Sequence, residues 1–307
     1  MTLTARAETL FVTLEKDNAL AVVDPIEGKL LKTVPVGQRP RGIALSPDFK
    51  SLYVATSDDN TILILDAETL KVTGRLPSGK DPETFALTPD GTMLYVSNEN
   101  DSRVTAIDLI KQKVVKQIKV GVEPEGITTS PDKKWMISAS ETTNMVHWID
   151  AKTNAAVSHT LVDPRPRAVA FTADSQQLWV TSEMAGTLTI IDAKTQAIIK
   201  NIKFEVQGVT SDKIQPVGVV IDQERKRGYV ALGPANRVAV IDAQKLSVET
   251  TLLVGQRVWN LAFSPDQQRL YTTNGVSNDI SIIDLPSQTV TQSIGVGAYP
   301  WGVAVKP

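Results

Sequence analysis

The sequence predicts an all-β fold, a seven-bladed β-propeller, because it contains seven internal repeats, each about as long as one four-stranded blade. Two positions of the repeat show this independently, and we call the seven residues at each position a column. Both columns advance by 42 residues at every step except one, which is 50. The first column is Pro40, Pro82, Pro124, Pro166, Pro216, Val258 and Pro300. The second column is Asp24, Asp66, Asp108, Asp150, Asp192, Asp242 and Asp284. The shared exception places an eight-residue insertion between Asp192 and Pro216.

Each repeat contains four apolar pieces of four to six residues. In the first repeat Gly42–Ser46, Leu52–Thr56 and Thr61–Asp66 are rich in Val, Ile and Leu and are separated by turn residues, so they predict strands. Ser46-Pro47-Asp48 suits a type I turn and makes the first two strands a hairpin. The Asp that closes the third strand is expected to bond its own backbone and start the next turn.

The two ends of the chain predict one shared blade. The segment from Pro300 to Val305 supplies only an innermost strand, whereas the chain begins near Leu10 with a second strand. Pairing the two removes an open sheet edge. A column of mostly small residues begins the innermost strands, where seven chains converge: Gly42, Thr84, Gly126, Ala168, Gly218, Asn260 and Gly302. Residues 1–307 are therefore expected to form one domain, with residues 1–8 as an N-terminal tail.

Composition removes several classes of function. The chain has no Cys and only two His, which excludes thiolate nucleophiles, Cys-ligated zinc and iron–sulfur clusters. His147 is expected to pack in a third strand against a neighbouring blade, and His159 to be solvated on an outer strand. The net charge of -2 gives no global attraction to nucleic acid, and no apolar run reaches the 18 residues of a membrane-spanning helix. Ser-His-Asp catalysis, phosphate-cradling glycine loops and HExxH helices are not indicated.

Several segments resemble known propeller families. Leu52-Tyr53-Val54-Ala55-Thr56, Leu94-Tyr95-Val96-Ser97-Asn98 and Leu270-Tyr271-Thr272-Thr273-Asn274 resemble the motif of the YVTN β-propeller repeats. Departures from that consensus resemble the periplasmic β-propeller proteins associated with PQQ-dependent alcohol catabolism. These departures are Gly37–Gly42, Ser140–Asn144, Ala231–Val238, Gly255–Trp259 and Tyr299–Gly302.

The resemblance implies a pathway and a compartment, without a mechanism. The implied partners are a quinoprotein dehydrogenase, a cytochrome c or a transport component, and PQQ is a possible bound ligand. The implied location is the periplasm, and Ala5-Arg6-Ala7 fits the end of a signal peptide that has been removed.

Function in propellers is expected at one end of the central channel, where the loops depart from the repeat. The connections between blades and the loops joining second and third strands share this end, which we call the mouth face. The residues predicted to bind a ligand there are Arg39, Arg41, Arg165, Arg167, Arg257, Trp259, Tyr299, Trp301, Glu99 and Glu141. Arginine forks suit carboxylates and indole rings suit a planar ligand such as PQQ. The alternative is that the arginines and the facing carboxylates neutralise one another as salt bridges between blades.

Three function classes remain open. The favoured one is a non-catalytic binding or scaffold protein that holds a partner protein or a small anionic ligand. The second is a hydrolase or lyase whose calcium or magnesium ion is held by Glu15, Glu99, Glu141 or Glu183. The third is binding of single-stranded DNA, which the carboxylates of the mouth face argue against. The insertion around residues 205–212 extends an inter-blade connection of the same face, as a lid, as a docking loop or as a tolerated extension.

Overall fold

A computed structural model describes residues 8–307, and the triplet Ala5-Arg6-Ala7 lies outside the described residues. Almost all regular structure in this range is β-strand. Two short 3₁₀ helices, Glu99–Asp101 and Ser211–Lys213, complete it. In chain order the strands are β1 (Thr9–Leu14), β2 (Ala19–Asp24), β3 (Lys29–Pro35), β4 (Pro40–Leu45), β5 (Ser51–Thr56), β6 (Thr61–Asp66), β7 (Val72–Pro77), β8 (Pro82–Leu87), β9 (Met93–Asn98), β10 (Arg103–Asp108), β11 (Lys113–Lys119), β12 (Pro124–Thr129), β13 (Trp135–Ser140), β14 (Met145–Asp150), β15 (Ala155–Leu161), β16 (Pro166–Phe171), β17 (Gln177–Ser182), β18 (Thr187–Asp192), β19 (Ile198–Lys203), β20 (Val219–Ile221), β21 (Arg227–Ala231), β22 (Arg237–Asp242), β23 (Ser247–Leu253), β24 (Val258–Phe263), β25 (Arg269–Asn274), β26 (Asp279–Asp284), β27 (Thr289–Gly295) and β28 (Pro300–Lys306).

The strands form seven antiparallel four-stranded sheets, which confirms the predicted seven-bladed β-propeller. Blades 1 to 6 each use four consecutive strands, starting at β4, β8, β12, β16, β20 and β24. Blade 7 has the order β28-β1-β2-β3, so the last strand of the chain is its innermost strand. Leu10 pairs with Val305 and Val12 with Val303 in this closure, as the sequence predicted.

The column of aspartates forms the expected turn in every blade. Asp24 Oδ1 accepts the backbone N–H groups of Ile26 at 2.9 Å and Glu27 at 2.8 Å. The same contact from carboxylate to turn N–H recurs at Asp66, Asp108, Asp150, Asp192, Asp242 and Asp284. The periodic aspartates therefore have a structural role on the face opposite the mouth.

The column of small residues exists because innermost strands of adjacent blades nearly touch. A Cβ atom on Gly126 of β12 would lie 2.0 Å from the carbonyl oxygen of Arg167 in the next blade. Gly218 is similarly close to Trp259, whose carbonyl accepts the Gly218 N–H at 2.9 Å. A side chain at either glycine would push two blades apart. The hydrophobic core lies between adjacent blades, as where Leu10 and Val12 pack with Tyr271 and Ile280.

The insertion forms a packed loop rather than an extended arm. Phe204 and Ile214, at its two ends, are 2% and 4% exposed and belong to the core between blades 4 and 5. Val206 and Val209 pack partly against the same cluster, while Gln207 is exposed. The short helix Ser211–Lys213 lies within it. The loop is thus anchored at both ends by buried apolar side chains.

Two remaining expectations concern the histidines and the predicted tail. His147 lies in β14, and its Nε2 accepts the backbone N–H of Gly121 from the neighbouring inter-blade connection at 2.8 Å. Burial and the nearby His159 lower the pKa of His147 to about 4, so His147 is a neutral acceptor. His159 is exposed on β15, as predicted.

Glu8, the last residue of the predicted tail, is buried. Its carboxylate accepts hydrogen bonds from Arg269 at 2.6 Å and Tyr271 at 2.9 Å.

Within residues 8–307 no helix is long and apolar enough to cross a membrane.

Candidate binding site at the channel mouth

The side chains of the mouth face are positioned by residues with left-handed backbone. The residue before each innermost strand has a positive φ in six of the seven connections, which is uncommon for non-glycine residues. These residues are Arg39, Asp81, Glu123, Arg165, Arg257 and Tyr299, with φ between 51° and 61°. Gln215, which follows the insertion, is not among them.

A column of asparagines holds this conformation. The Oδ1 atom of Asn18 accepts the Arg39 backbone N–H at 2.9 Å, and Asn144 does the same for Arg165 at 3.0 Å. Equivalent bonds join Asn60 to Asp81, Asn236 to Arg257 and Asn278 to Tyr299. These asparagines obey the same 42-residue spacing, which is the sequence signal that would have identified them.

The two predicted rings of the mouth face are joined through the backbone. The N–H of Glu99 donates to the carbonyl of Asp81 at 3.0 Å, and the N–H of Glu183 donates to the carbonyl of Arg165 at 2.8 Å. Glu15, Ser57, Glu141 and Gly275 make the same bond to the preceding mouth residue of their own blades. The loops joining second and third strands are therefore fixed to the inter-blade connections.

Arginines and carboxylates alternate around the mouth, so each guanidinium already has partners. Arg39 lies 2.8 Å from Asp81 and 3.2 Å from Glu83. Arg41 lies 3.1 Å from Glu15 and is also bonded to Glu83. These contacts cross from one blade to the next. They are the inter-blade salt bridges that the sequence offered as the alternative to free ligand-binding arginines.

The other side of the mouth contains a second network of the same kind. Arg167 lies 2.6 Å from Glu125 and is bonded to Glu141, while Arg165 bridges Glu141 and Glu183, each at 3.0 Å. Arg257 extends the network, with its Nη2 3.0 Å from Glu183 Oε1. Its Nη1 donates to Gln215, the residue that follows the insertion, at 2.5 Å.

The aromatic residues are stacked on these arginines. The guanidinium carbon of Arg257 lies 4.2 Å from the ring centre of Trp259, and that of Arg41 lies 5.6 Å from Trp301. Both are cation–π distances. Tyr299 is paired with a lysine instead, since Lys16 Nζ lies 4.0 Å from its ring centre.

Seven of the ten predicted site residues line one cavity of about 250 Å³, which we call the mouth cavity. They are Arg39, Arg41, Glu99, Arg165, Arg167, Arg257 and Trp259, and Glu125 and Glu183 complete the lining. Glu141 lines a neighbouring groove with Arg165, and Trp301 lines the channel below. The mouth cavity, which is partly open to solvent, therefore brings five guanidinium groups together.

Three carboxyl groups of the mouth, those of Glu99, Glu125 and Asp81, have a pKa above the ordinary value, and burial is the largest cause in each. Burial, followed by the negative charge of Glu83, raises the pKa of Glu99 to about 7. Burial also raises the pKa of Glu125 well above its ordinary value, although Arg167 acts in the opposite direction. Burial opposes ionisation of Glu83 too, but Arg41 and Arg39 outweigh it and its pKa is lowered.

The structure gives a different acidic cluster from the one expected to hold a metal. Oxygen atoms of Asp81, Glu83 and Glu99 lie within 4.8 Å of one another, close enough to share a cation. Of the four glutamates proposed from the sequence, only Glu99 belongs to this group. Arg39 and Arg41 already neutralise Glu83, which reduces the attraction for a cation.

Comparisons with known proteins support the fold. A family model described as "YNCE-like beta-propeller" matches residues 51–152, less than half of the chain. No curated protein matches the chain.

Among solved structures, similarity is high in shape and low in sequence. A functionally unknown protein from Desulfotomaculum acetoxidans has a TM-score of 0.82 at 16% identity, covering 97% of this chain and 98% of its own. A putative 6-phosphogluconolactonase from Bacteroides uniformis has a TM-score of 0.80 at 14% identity, covering 98% and 100%. Hydrazine synthase from Kuenenia stuttgartiensis has a TM-score of 0.58 at 21% identity, covering 80% and 95%. These similarities establish a propeller and leave its function to the chemistry of the mouth.

Proposed function

We propose that this protein is a non-catalytic binding propeller that holds a small anionic ligand in the mouth cavity. The observation that carries the proposal is the convergence of five arginines on one cavity of about 250 Å³. Guanidinium groups are the side chains best suited to grip carboxylates, because their planar donors match the two carboxylate oxygens.

The salt bridges of the mouth support this role because they fix the arginines before a ligand arrives. The side chain of Arg167 is 10% exposed and that of Arg41 is 15% exposed, so both are held by packing as well as by charge. A site with fixed donors loses little side-chain entropy on binding. An incoming anion shares donors with the resident carboxylates and needs no new arrangement of the loops.

The resemblance to propellers of PQQ-linked alcohol oxidation supplies the proposed setting. In that setting the protein works in the periplasm beside a quinoprotein dehydrogenase, a cytochrome c or a transport component. PQQ is one ligand to test, since it combines a planar ring system with three carboxylates. The mouth cavity lies below the roughly 300–1,000 Å³ typical of pockets for drug-sized ligands, which favours a smaller acid.

Calorimetric titration of the purified protein with PQQ, succinate and butanoate tests the proposal. We expect at least one of these anions to bind, and Arg257→Gln to weaken that binding about tenfold or more by removing a charged donor. The matched control is Arg225→Gln, which removes an arginine paired with Asp174 on the opposite face. The proposal would be overturned if none of the three anions bound, or if both variants lost affinity for the anion equally.

The alternative of a metal-dependent hydrolase or lyase is supported only by the spacing of Asp81, Glu83 and Glu99. Metal analysis of the purified protein, with melting curves before and after a chelator, separates the two functions. A stoichiometric calcium or magnesium ion whose removal lowers the melting temperature would favour the enzyme.

A further inference from the structure

The mouth cavity is the upper of two adjoining chambers. Below it lies a second cavity of about 180 Å³, which we call the throat. Glu125, Arg167 and Trp259 line both, so the two spaces adjoin one another around these side chains.

The two chambers differ in chemistry. The mouth cavity is lined almost wholly by charged groups, whereas the throat is partly apolar. Its apolar lining consists of Ile127, Val169, Val217, Val219, Leu261 and the indole rings of Trp259 and Trp301, and its polar lining includes Thr84 and Asn260 beside Glu125 and Arg167. A charged chamber above a partly apolar one fits a molecule with one charged end and one hydrocarbon end.

Four buried donors of residues that line the two chambers have no hydrogen-bond acceptor within residues 8–307. They are the Nε atoms of Arg41 and Arg167 and the Nε1 atoms of Trp259 and Trp301. Trp301 is 5% exposed and lines the throat, so its N–H is far from bulk solvent. Buried donors of this kind are normally satisfied, and these four can only donate. The junction of the chambers is therefore suited to a group that only accepts hydrogen bonds, such as a carboxylate.

The existing salt bridges of the mouth favour a group with a single negative charge. Each of the five guanidinium groups already lies within salt-bridge distance of at least one carboxyl group. A polycarboxylate would have to displace several resident partners, whereas one carboxylate can share their donors.

We infer that the ligand of this site is a short-chain monocarboxylate, with its carboxylate at Arg41 and Arg167 and its hydrocarbon tail in the throat. This inference rests on the proposed function and narrows its small anion to one chemical class. The tail contacts Val219, Leu261 and the ring of Trp259, which line the throat.

A series of straight-chain acids measures the contribution of the tail directly. We expect the affinity to rise about fourfold for each methylene from acetate through butanoate to hexanoate, and then to level off when the throat is full. Hexan-1-ol and hexylammonium carry the same tail without the negative charge and should bind at least tenfold more weakly than hexanoate. These measurements use the unmodified protein and do not depend on the stability of a variant.

A pair of substitutions in one strand locates the effect. Val219→Thr places a hydroxyl in the throat and should flatten the dependence on chain length while leaving acetate unchanged. Val220→Thr alters the neighbouring residue, which does not line the throat, and should leave the series as in the unmodified protein.

The outcomes separate the inference from the proposed function. Equal affinities along the acid series, or tighter binding of PQQ than of hexanoate, would overturn the inference that the ligand is a monocarboxylate. The proposal that the mouth binds an anion would still stand. Failure of every anion to bind would overturn both.

Discussion

At the scale of single residues, the geometry of the mouth depends on non-glycine residues with a positive φ. Arg165 has a φ of 61°, and it keeps that conformation because Asn144 accepts its N–H. Non-glycine residues in this region carry a cost that the surrounding structure must offset. The repeated asparagines provide that compensation and so hold charged side chains toward the channel.

The unusual pKa of Glu99 predicts a specific dependence of stability on pH. The charged groups around it are Glu83, Asp81 and Glu141, with Arg39 lining the same cavity. The folded protein keeps the proton of Glu99 up to a pKa of about 7, whereas the unfolded chain releases it near the ordinary value of 4.5. The free energy of unfolding therefore falls as pH rises from about 4.5 to about 7 and loses no more above that range.

Glu99→Gln should remove this part of the pH dependence. We expect the melting temperature of the variant minus that of the unmodified protein, measured by calorimetry, to increase as the pH rises from 5 to 7.5. Glu205→Gln changes an exposed carboxylate on the insertion and serves as the matched control. A constant difference between Glu99→Gln and the unmodified protein across this pH range would contradict the prediction.

The sequence located the charged residues of the mouth but not their pairing. Periodicity alone places Arg39, Arg41 and Glu83 on one face, since each follows a fixed position of the repeat. Which carboxylate meets which guanidinium depends on how far each side chain reaches across the gap between blades. That distance follows from the curvature of the ring, which no local pattern encodes.

At the scale of secondary structure elements, the insertion between β19 and β20 behaves as part of the core. The sequence offered a lid, a docking loop or a tolerated extension, because the insertion lengthens a connection between two blades. Phe204 and Ile214 supply that anchoring. The segment also leads to Gln215, which accepts a hydrogen bond from Arg257. The insertion consequently supports one corner of the mouth cavity.

Phe204→Ala should destabilise the protein by about 3–5 kcal/mol, because it empties a buried aromatic site that the strands around it cannot readily fill. Chemical denaturation measures this change. Gln207→Ala, at an exposed position of the same loop, should stay within about 0.5 kcal/mol of the unmodified protein. Similar small effects in both variants would show that the loop is not anchored as the structure indicates.

At the scale of the whole molecule, the fold was accessible from sequence because one short pattern is repeated seven times. Each blade buries its faces only against its neighbours, so any one repeat gives little information, whereas seven aligned repeats give the architecture. The shared 50-residue step even located the insertion. The repeat does not predict the ligand of the mouth, because binding depends on the residues that depart from the repeat.

Closure of the ring leads to the last prediction, which concerns the final strand. β28 supplies the innermost strand of blade 7 and is linked to both neighbouring blades. Thr273 and Asn260 of blade 6 donate to the carbonyl of Trp301. On the other side, the N–H of Gly302 donates to the hydroxyl of Thr13 in β1, and that hydroxyl donates to the backbone carbonyl of Arg41 in blade 1. Removing residues 301–307 would expose the edge of β1 and open the ring between blades 6 and 7. We expect the melting temperature to fall by about 10 °C or more, since roughly 2–4 °C accompanies each kcal/mol in proteins of this size class.

A synthetic peptide covering residues 299–307 provides the control for that truncation. If β28 acts as a separate strand that closes the ring, the peptide should pair with β1 and restore much of the lost melting temperature in proportion to its concentration. A peptide with Trp301→Ala should restore less, because it lacks the buried indole that lines the throat. If the truncated protein and the full-length protein had the same melting temperature, closure by β28 would contribute little to the stability of the propeller.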